Sequence, residues 1–150
     1  LSGTPPSVSV RDMTPADQDA ARGLMAQLGY DLDAGEFARR FDAVMASGGD
    51  HSLTVAVQGG AVLGLLHVFA RPALEKPTEA LVQSLVVDRA ARGTGVGRAL
   101  MARAEDWAQS RGLHSVALHT QAMRTDARAF YGALGYEEIT QSMLMRKKLD

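Results

Sequence analysis

The chain contains no cysteine. That excludes disulfides, thiolate metal sites and a cysteine nucleophile, so an acyl group cannot pass through a thioester on the protein itself. Histidine is scarce as well. The four residues His51, His67, His114 and His119 show no ligand spacing such as H-E-x-x-H, and no metal is expected. No apolar run reaches the roughly 18 residues that a membrane span needs, so no membrane partner is expected. Aromatic residues make up only 5% of the chain, and no basic run carries them interleaved. Nucleic acid is therefore not expected as a partner. The opening residues are rich in Ser, Pro and Gly, without a basic n-region or an apolar h-region. Residues 1–7 read as a flexible tail, and cytoplasmic residence is the default expectation.

What is present is ordinary for a globular protein. At 150 residues, 46% hydrophobic and 22% charged, the chain can bury one real core, and residues 8–150 read as a single domain. The net charge of −1 hides an asymmetry. Residues 11–50 hold eight acids against four arginines, whereas residues 89–150 hold ten bases against six acids. Such a field would draw a cation to one mouth of a cleft and an anion to the other.

Periodicity and punctuation set out the elements. Residues 8–11 alternate as a short strand. Thr14-Pro15 opens a helix over about 15–28, and a second helix runs over about 34–46 with Phe37, Phe41, Val44 and Met45 at helical spacing. Leu53, Val55 and Val57 alternate in a strand, and Gly59-Gly60 turns it into the next, over about 61–70. A strand over 79–87 feeds a glycine-rich loop, and a helix follows to about residue 109. A strand over 115–120, a helix over 125–134 and one or two strands within 136–148 complete the order β-α-α-β-β-β-α-β-α-β(β). With one strand–helix–strand crossover after three strands paired as hairpins, this is an α/β fold with a mixed, mostly antiparallel sheet.

The glycine loop is the most specific signal. Arg92-Gly93-Thr94-Gly95-Val96-Gly97-Arg98 lies between an apolar strand and a helix. Glycine allows close approach of the backbone to a ligand, and the first helical turn offers unpaired N–H groups and the positive end of the macrodipole. Phosphate groups bind at such places. No Gly-Lys pair exists for a P-loop, and neither glycine register completes G-x-G-x-x-G. What fits is R-x-x-G-x-G at Arg92, Gly95 and Gly97. A second stretch, "ARAFYGALGY", follows over 127–136.

This ordered pair of motifs resembles the core of the GNAT (Gcn5-related) N-acetyltransferases. The resemblance implies a GNAT-type sheet in which two central parallel strands splay apart and admit the pantetheine arm of acetyl-CoA (coenzyme A). It assigns pantetheine and carbonyl contacts to the main chain of Leu85, Val86 and Val87. The pyrophosphate falls to the amides of Arg92, Gly93, Thr94, Gly95, Val96 and Gly97, with Arg98 near. Tyr131 takes the place of the tyrosine that protonates the departing thiolate. Many members carry an Asn where this chain has Arg124, which either contacts the cofactor or is a solvated helix-start arginine. Glu79 matches where some relatives place a general base, with His67 and His119 as alternatives; the loop residue Glu75 either lines the acceptor pocket or has no role. The two N-terminal helices and the loop after the third strand would line the acceptor side. The function so implied is transfer of an acetyl group from acetyl-CoA to a primary amine by direct attack. The acceptor expected from the acidic segment is a small cationic amine, and a homodimer stays open. Two other readings are a non-catalytic acyl-CoA-binding sensor and an acetyltransferase of protein N-termini.

Overall fold

In a computed structural model, residues 7–150 are described; the N-terminal six, which carry most of the expected tail, lie outside the described residues. The chain divides into two compact units, the first ending at Leu118 and the second running from His119 to Asp150. In the first, a five-stranded sheet has the order β1-β2-β3-β4-β5. Its strands are β1 (Ser9–Asp12), β2 (His51–Gln58), β3 (Ala61–Arg71), β4 (Glu79–Val87) and β5 (Val116–Leu118). The pairs β1–β2, β2–β3 and β3–β4 are antiparallel, and β4–β5 is parallel. Helices α1 (Gln18–Gln27) and α2 (Ala34–Ala46) precede β2, and α3 (Val96–Ser110) makes the crossover from β4 to β5. Among the described residues, no helix is long and apolar enough to cross a membrane.

Strand alternation separates two faces. Val55 and Leu65, paired across β2 and β3, pack with Met13, Leu24 and Phe41 under α1 and α2. Their neighbours Thr54 and Leu66 are fully buried on the other face, which α3 covers with Val96, Leu100 and Met101. Each such apolar side chain contributes about 1.5–3 kcal/mol on burial. Asp33 caps α2 by accepting from the Glu36 amide at 2.8 Å. Asp17 is buried, and the Arg11 guanidinium that grips both its oxygens (2.8 and 2.9 Å) holds its carboxyl at about 2. That pair fixes the exit of β1 against the start of α1.

Gly64 in β3 is where α3 comes closest to the sheet. A Cβ there would meet Leu100 Cδ1 at 2.9 Å, the Val86 carbonyl oxygen at 3.0 Å and Val96 Cγ1 at 3.1 Å. Gly64→Ala should therefore cost about 1–3 kcal/mol by overpacking. Urea denaturation would measure it; an unchanged midpoint would mean that α3 shifts without cost.

In the second unit, α4 (Thr125–Ala133) is followed by residues 137–150, which carry no regular element. The strands expected within 136–148 are not formed. The physical reason lies in the pattern: Met143, Leu144 and Met145 are consecutive rather than alternating, and all three are exposed. No one face is apolar, so burial does not specify a register.

Candidate active site

β4 organises the site. Its parallel partner β5 pairs with Ala80, Leu81 and Val82 and then ends. Beyond Val82, β5 contributes no ladder bonds, so the β4 backbone from Gln83 to Val87 runs on without it along that edge. The ladder between the two parallel strands thus ends after Val82, on the stretch of β4 where the resemblance implies that they splay apart. On the opposite edge, His67 pairs with Ser84 but Val68 pairs with Val82. Gln83 is the extra residue of a β-bulge, a device that bends a strand and re-aims its side chains. The sequence analysis missed this bulge. Its signal was there: Gln83-Ser84 are two successive polar residues inside an apolar strand.

The glycine loop follows directly. Asp88 donates its amide to the Leu63 carbonyl (2.7 Å), and its side chain accepts from the Ala90 amide (3.0 Å). This sets a 3₁₀ turn, Arg89–Ala91, whose last residue is buried. The Thr94 hydroxyl donates to the Ala91 carbonyl. Gly93 and Gly95 have φ of +78° and +92°, which side-chain-bearing residues rarely adopt. Gly95 is the N-cap of α3, and no side chain caps that helix. The N–H groups of its first turn are thus left for an external acceptor. Open space lies where Cβ atoms of Gly93 and Gly95 would stand. Arg92 and Arg98 are exposed beside them, and among the described residues neither has an ion-pair partner. Open space, unpaired amides and free guanidinium groups fit a pyrophosphate.

On the α1–α2 face lies a cavity of about 340 Å³, entirely within the first unit. Leu28, Phe37, Phe41, Val44, Leu53 and Leu65 are among its walls, with His67 of β3 and Gln83 and Ser84 of β4 beside them. His67 Nε2 lies 2.9 Å from His51 Nδ1, and the His51 ring stacks on Phe69 with centroids 5.0 Å apart. Burial, with a smaller push from His51, lowers the His67 pKa to about 4, so its ring is neutral at pH 7.

The expected site residues do not all converge. Leu85, Val86 and Val87 lead into the loop from Arg92 to Arg98, as anticipated. Glu79 does not join them, because six residues of strand, roughly 20 Å, separate it from Leu85. It is also engaged: Lys76 Nζ lies at 3.1 Å, the Ser115 hydroxyl donates at 3.3 Å and Arg71 Nη2 lies at 3.5 Å. Burial pushes the Glu79 carboxyl up, but these partners outweigh it and hold it below its ordinary value. That arrangement suits an anchor for the start of β4 better than a proton acceptor. Glu75 is exposed in the loop before β4, and His119 is exposed in the second unit.

The acidic segment is also partly neutralised, by Arg103 and Arg111 in addition to its own four arginines. Asp12 pairs with Arg103, Asp17 with Arg11, Asp19 with Arg22, Glu36 with Arg39 and Arg40, and Asp50 with Arg111. The cation-drawing field read from charge counts is weakened accordingly.

In the second unit, Tyr131 is half-buried on α4, edge-on to Phe130 (centroids 5.1 Å) and Tyr136 (6.1 Å). Burial raises its pKa above the ordinary phenol value, and the nearby Arg124 offsets part of that. Tyr131 is therefore protonated at neutral pH. Arg128 grips Glu138 at 2.6 and 3.0 Å and donates to the Ala122 carbonyl, tying α4 to the segments before and after it.

Known proteins carry the same organisation. The probable glucosamine 6-phosphate N-acetyltransferase 2 of Oryza sativa subsp. japonica is 31% identical over 88% of this chain and 83% of its own. The aminoglycoside N(6')-acetyltransferase type 1 of Stenotrophomonas maltophilia is 26% identical over 95% of this chain and 94% of its own. A solved structure, aminoglycoside N-acetyltransferase AAC(6')-Iy in complex with CoA, has the same fold, with a TM-score of 0.88 at 20% identity over 99% of this chain and 100% of that one. The model of the acetyltransferase (GNAT) family matches residues 18–136, from the start of α1 through the glycine loop to the end of the second motif. The chain belongs to the acetyltransferase (GNAT) family.

Proposed function

We propose that this protein is an acetyl-CoA-dependent N-acetyltransferase whose acceptor is a small-molecule primary amine. The observation that carries the reading is the end of the β4–β5 ladder at Val82, with the uncapped glycine turn into α3 beyond the end of β4. Acetyl-CoA supplies an activated carbonyl and a thiolate leaving group. The amides of Arg92 to Gly97 and the Arg98 side chain hold the pyrophosphate. The β4 backbone at Leu85, Val86 and Val87, beyond the end of the β5 ladder, aligns the pantetheine arm and polarises the carbonyl, which is electrostatic stabilisation by groups already in place. The relatives' names speak of aminoglycosides and glucosamine 6-phosphate, which supports a small amine rather than a protein N-terminus as acceptor.

Two proton transfers complete the reaction. The amine enters as an ammonium and gives up one proton before its nitrogen bonds to the acetyl carbon. His67 is the proposed acceptor by position rather than by basicity: it lines the cavity with Gln83 and Ser84, and His51 at 2.9 Å can take the proton on from it. The proposed base is thus an imidazole named as an alternative in the sequence, rather than the ion-paired Glu79. As the carbon–sulfur bond breaks, Tyr131 donates its phenolic proton to the thiolate and is reprotonated from solvent.

Coenzyme A should stabilise the fold, by about 2.7 kcal/mol at 100-fold its dissociation constant. Thermal-shift measurements would check this, with ATP and NAD as controls. Equal shifts from NAD would sink the assignment. Release of free thiol from acetyl-CoA on addition of primary amines separates an enzyme from a binding module.

A further inference from the structure

We propose that the acceptor is a monoamine with an apolar body, aryl or branched alkyl, and that the cavity under α1 and α2 discriminates against polycationic amines; this rests on the N-acetyltransferase reading. Among the described residues that line the cavity there is no aspartate or glutamate. Its one fixed charge is a cation, Arg40, whose Nε is already bonded to Glu36 at 3.0 Å. An amine with several ammonium groups would bury charges against hydrocarbon and near a guanidinium, with no carboxylate to receive them. Unpaired burial of a charge is among the costliest steps available to a ligand.

Apart from Arg40 and the Tyr30 hydroxyl, the polar side chains of the cavity are gathered at one place. His67, Gln83 and Ser84 lie together where the β4 bulge turns side chains toward it, and Ser84 directly precedes Leu85, the first residue assigned to the acyl donor. Opposite stand Leu28, Phe37 and Val44 from the helices. A molecule with one amine and an apolar body matches this polarity end to end. At about 340 Å³ the cavity is at the small end of the roughly 300–1,000 Å³ typical of ligand sites, which again suits a compact body.

The test uses the whole chain and three acceptors: 2-phenylethylamine, spermidine and kanamycin. The kcat/KM for 2-phenylethylamine is expected to exceed that for each polycation by about tenfold or more, the scale on which an apolar pocket discriminates. Val44→Glu, at a half-exposed wall position of α2, should reduce or invert that ratio. Independently of catalysis, 2-phenylethylamine should raise the melting temperature of the coenzyme A complex, and spermidine should not. A wild-type preference for spermidine or kanamycin overturns the proposal and leaves the acetyltransferase reading standing. Stabilisation by 2-phenylethylamine without thiol release for any amine sustains the cavity's preference and overturns the acetyltransferase reading. Absence of both stabilisation and transfer with 2-phenylethylamine overturns the proposal.

Discussion

Gly95→Val should abolish coenzyme A binding while leaving the fold in place, a loss of about 100-fold or more in affinity by calorimetry. Two effects combine at this position. Gly95 holds φ at +92°, where a β-branched residue is strained by about 1–3 kcal/mol. The loop would relax that strain by turning its amides away from their present direction. The second effect is steric. Nothing stands within 4 Å of the point where a Cβ would sit, so valine meets no protein atom there. Its methyl groups would instead occupy the open space assigned to the pyrophosphate. The core contacts of Val96, Leu100 and Met101 lie on the other side of the helix start and are untouched, so far-UV circular dichroism should be unchanged. Unchanged affinity in a folded Gly95→Val protein would refute the loop assignment.

Tyr131→Phe should lower turnover by about 10²-fold with the coenzyme A dissociation constant unchanged. Loss of one general acid typically has that cost. The phenylalanine keeps the edge-on contacts with Phe130 and Tyr136, so packing and thermal stability should be retained. The phenol is the weaker acid here, because burial raises its pKa. It therefore donates only as negative charge builds on the departing sulfur. A pre-steady-state measurement should place the defect in acyl transfer rather than in binding. Full turnover in the phenylalanine variant would reduce Tyr131 to a packing residue.

Much of this was legible in the sequence for identifiable reasons. The helices over 34–46 and from residue 96 onward carry strong 3.6-residue periodicity and clear stops, and the structure sets α2 and α3 there. The glycine loop was legible because R-x-x-G-x-G couples two physical demands, positive φ and close backbone approach, in a short span. Three features were not. The bulge at Gln83 shows in the sequence only as the polar pair Gln83-Ser84; the register shift between β3 and β4 that defines it appears only on pairing. The pairing of His51 with His67 joins residues 16 apart through the hairpin register, so neither position signals it alone. The ion pairs are the third: Arg103 and Arg111 reach Asp12 and Asp50 from outside the acidic segment, and Lys76 and Arg71 meet Glu79 only once the loop and the two strands are folded.

The two faces of the sheet also separate what can change from what cannot. Contacts assigned to the acyl donor come from main-chain atoms of β4 and from a turn whose geometry depends on Gly93, Gly95 and the tight seat of α3 over Gly64. On the opposite face, side chains of α1, α2 and the loop between them close the cavity over β2, β3 and β4. Substitutions there alter pocket shape without passing strain through α3. A directed-evolution library confined to Leu28, Leu32, Phe37 and Val44 should therefore yield changed acceptor range at constant affinity for the donor. Variation around Gly64 or Gly95 should mostly yield inactive protein. The same division would let a lineage of such enzymes diverge in substrate while its donor chemistry stays fixed.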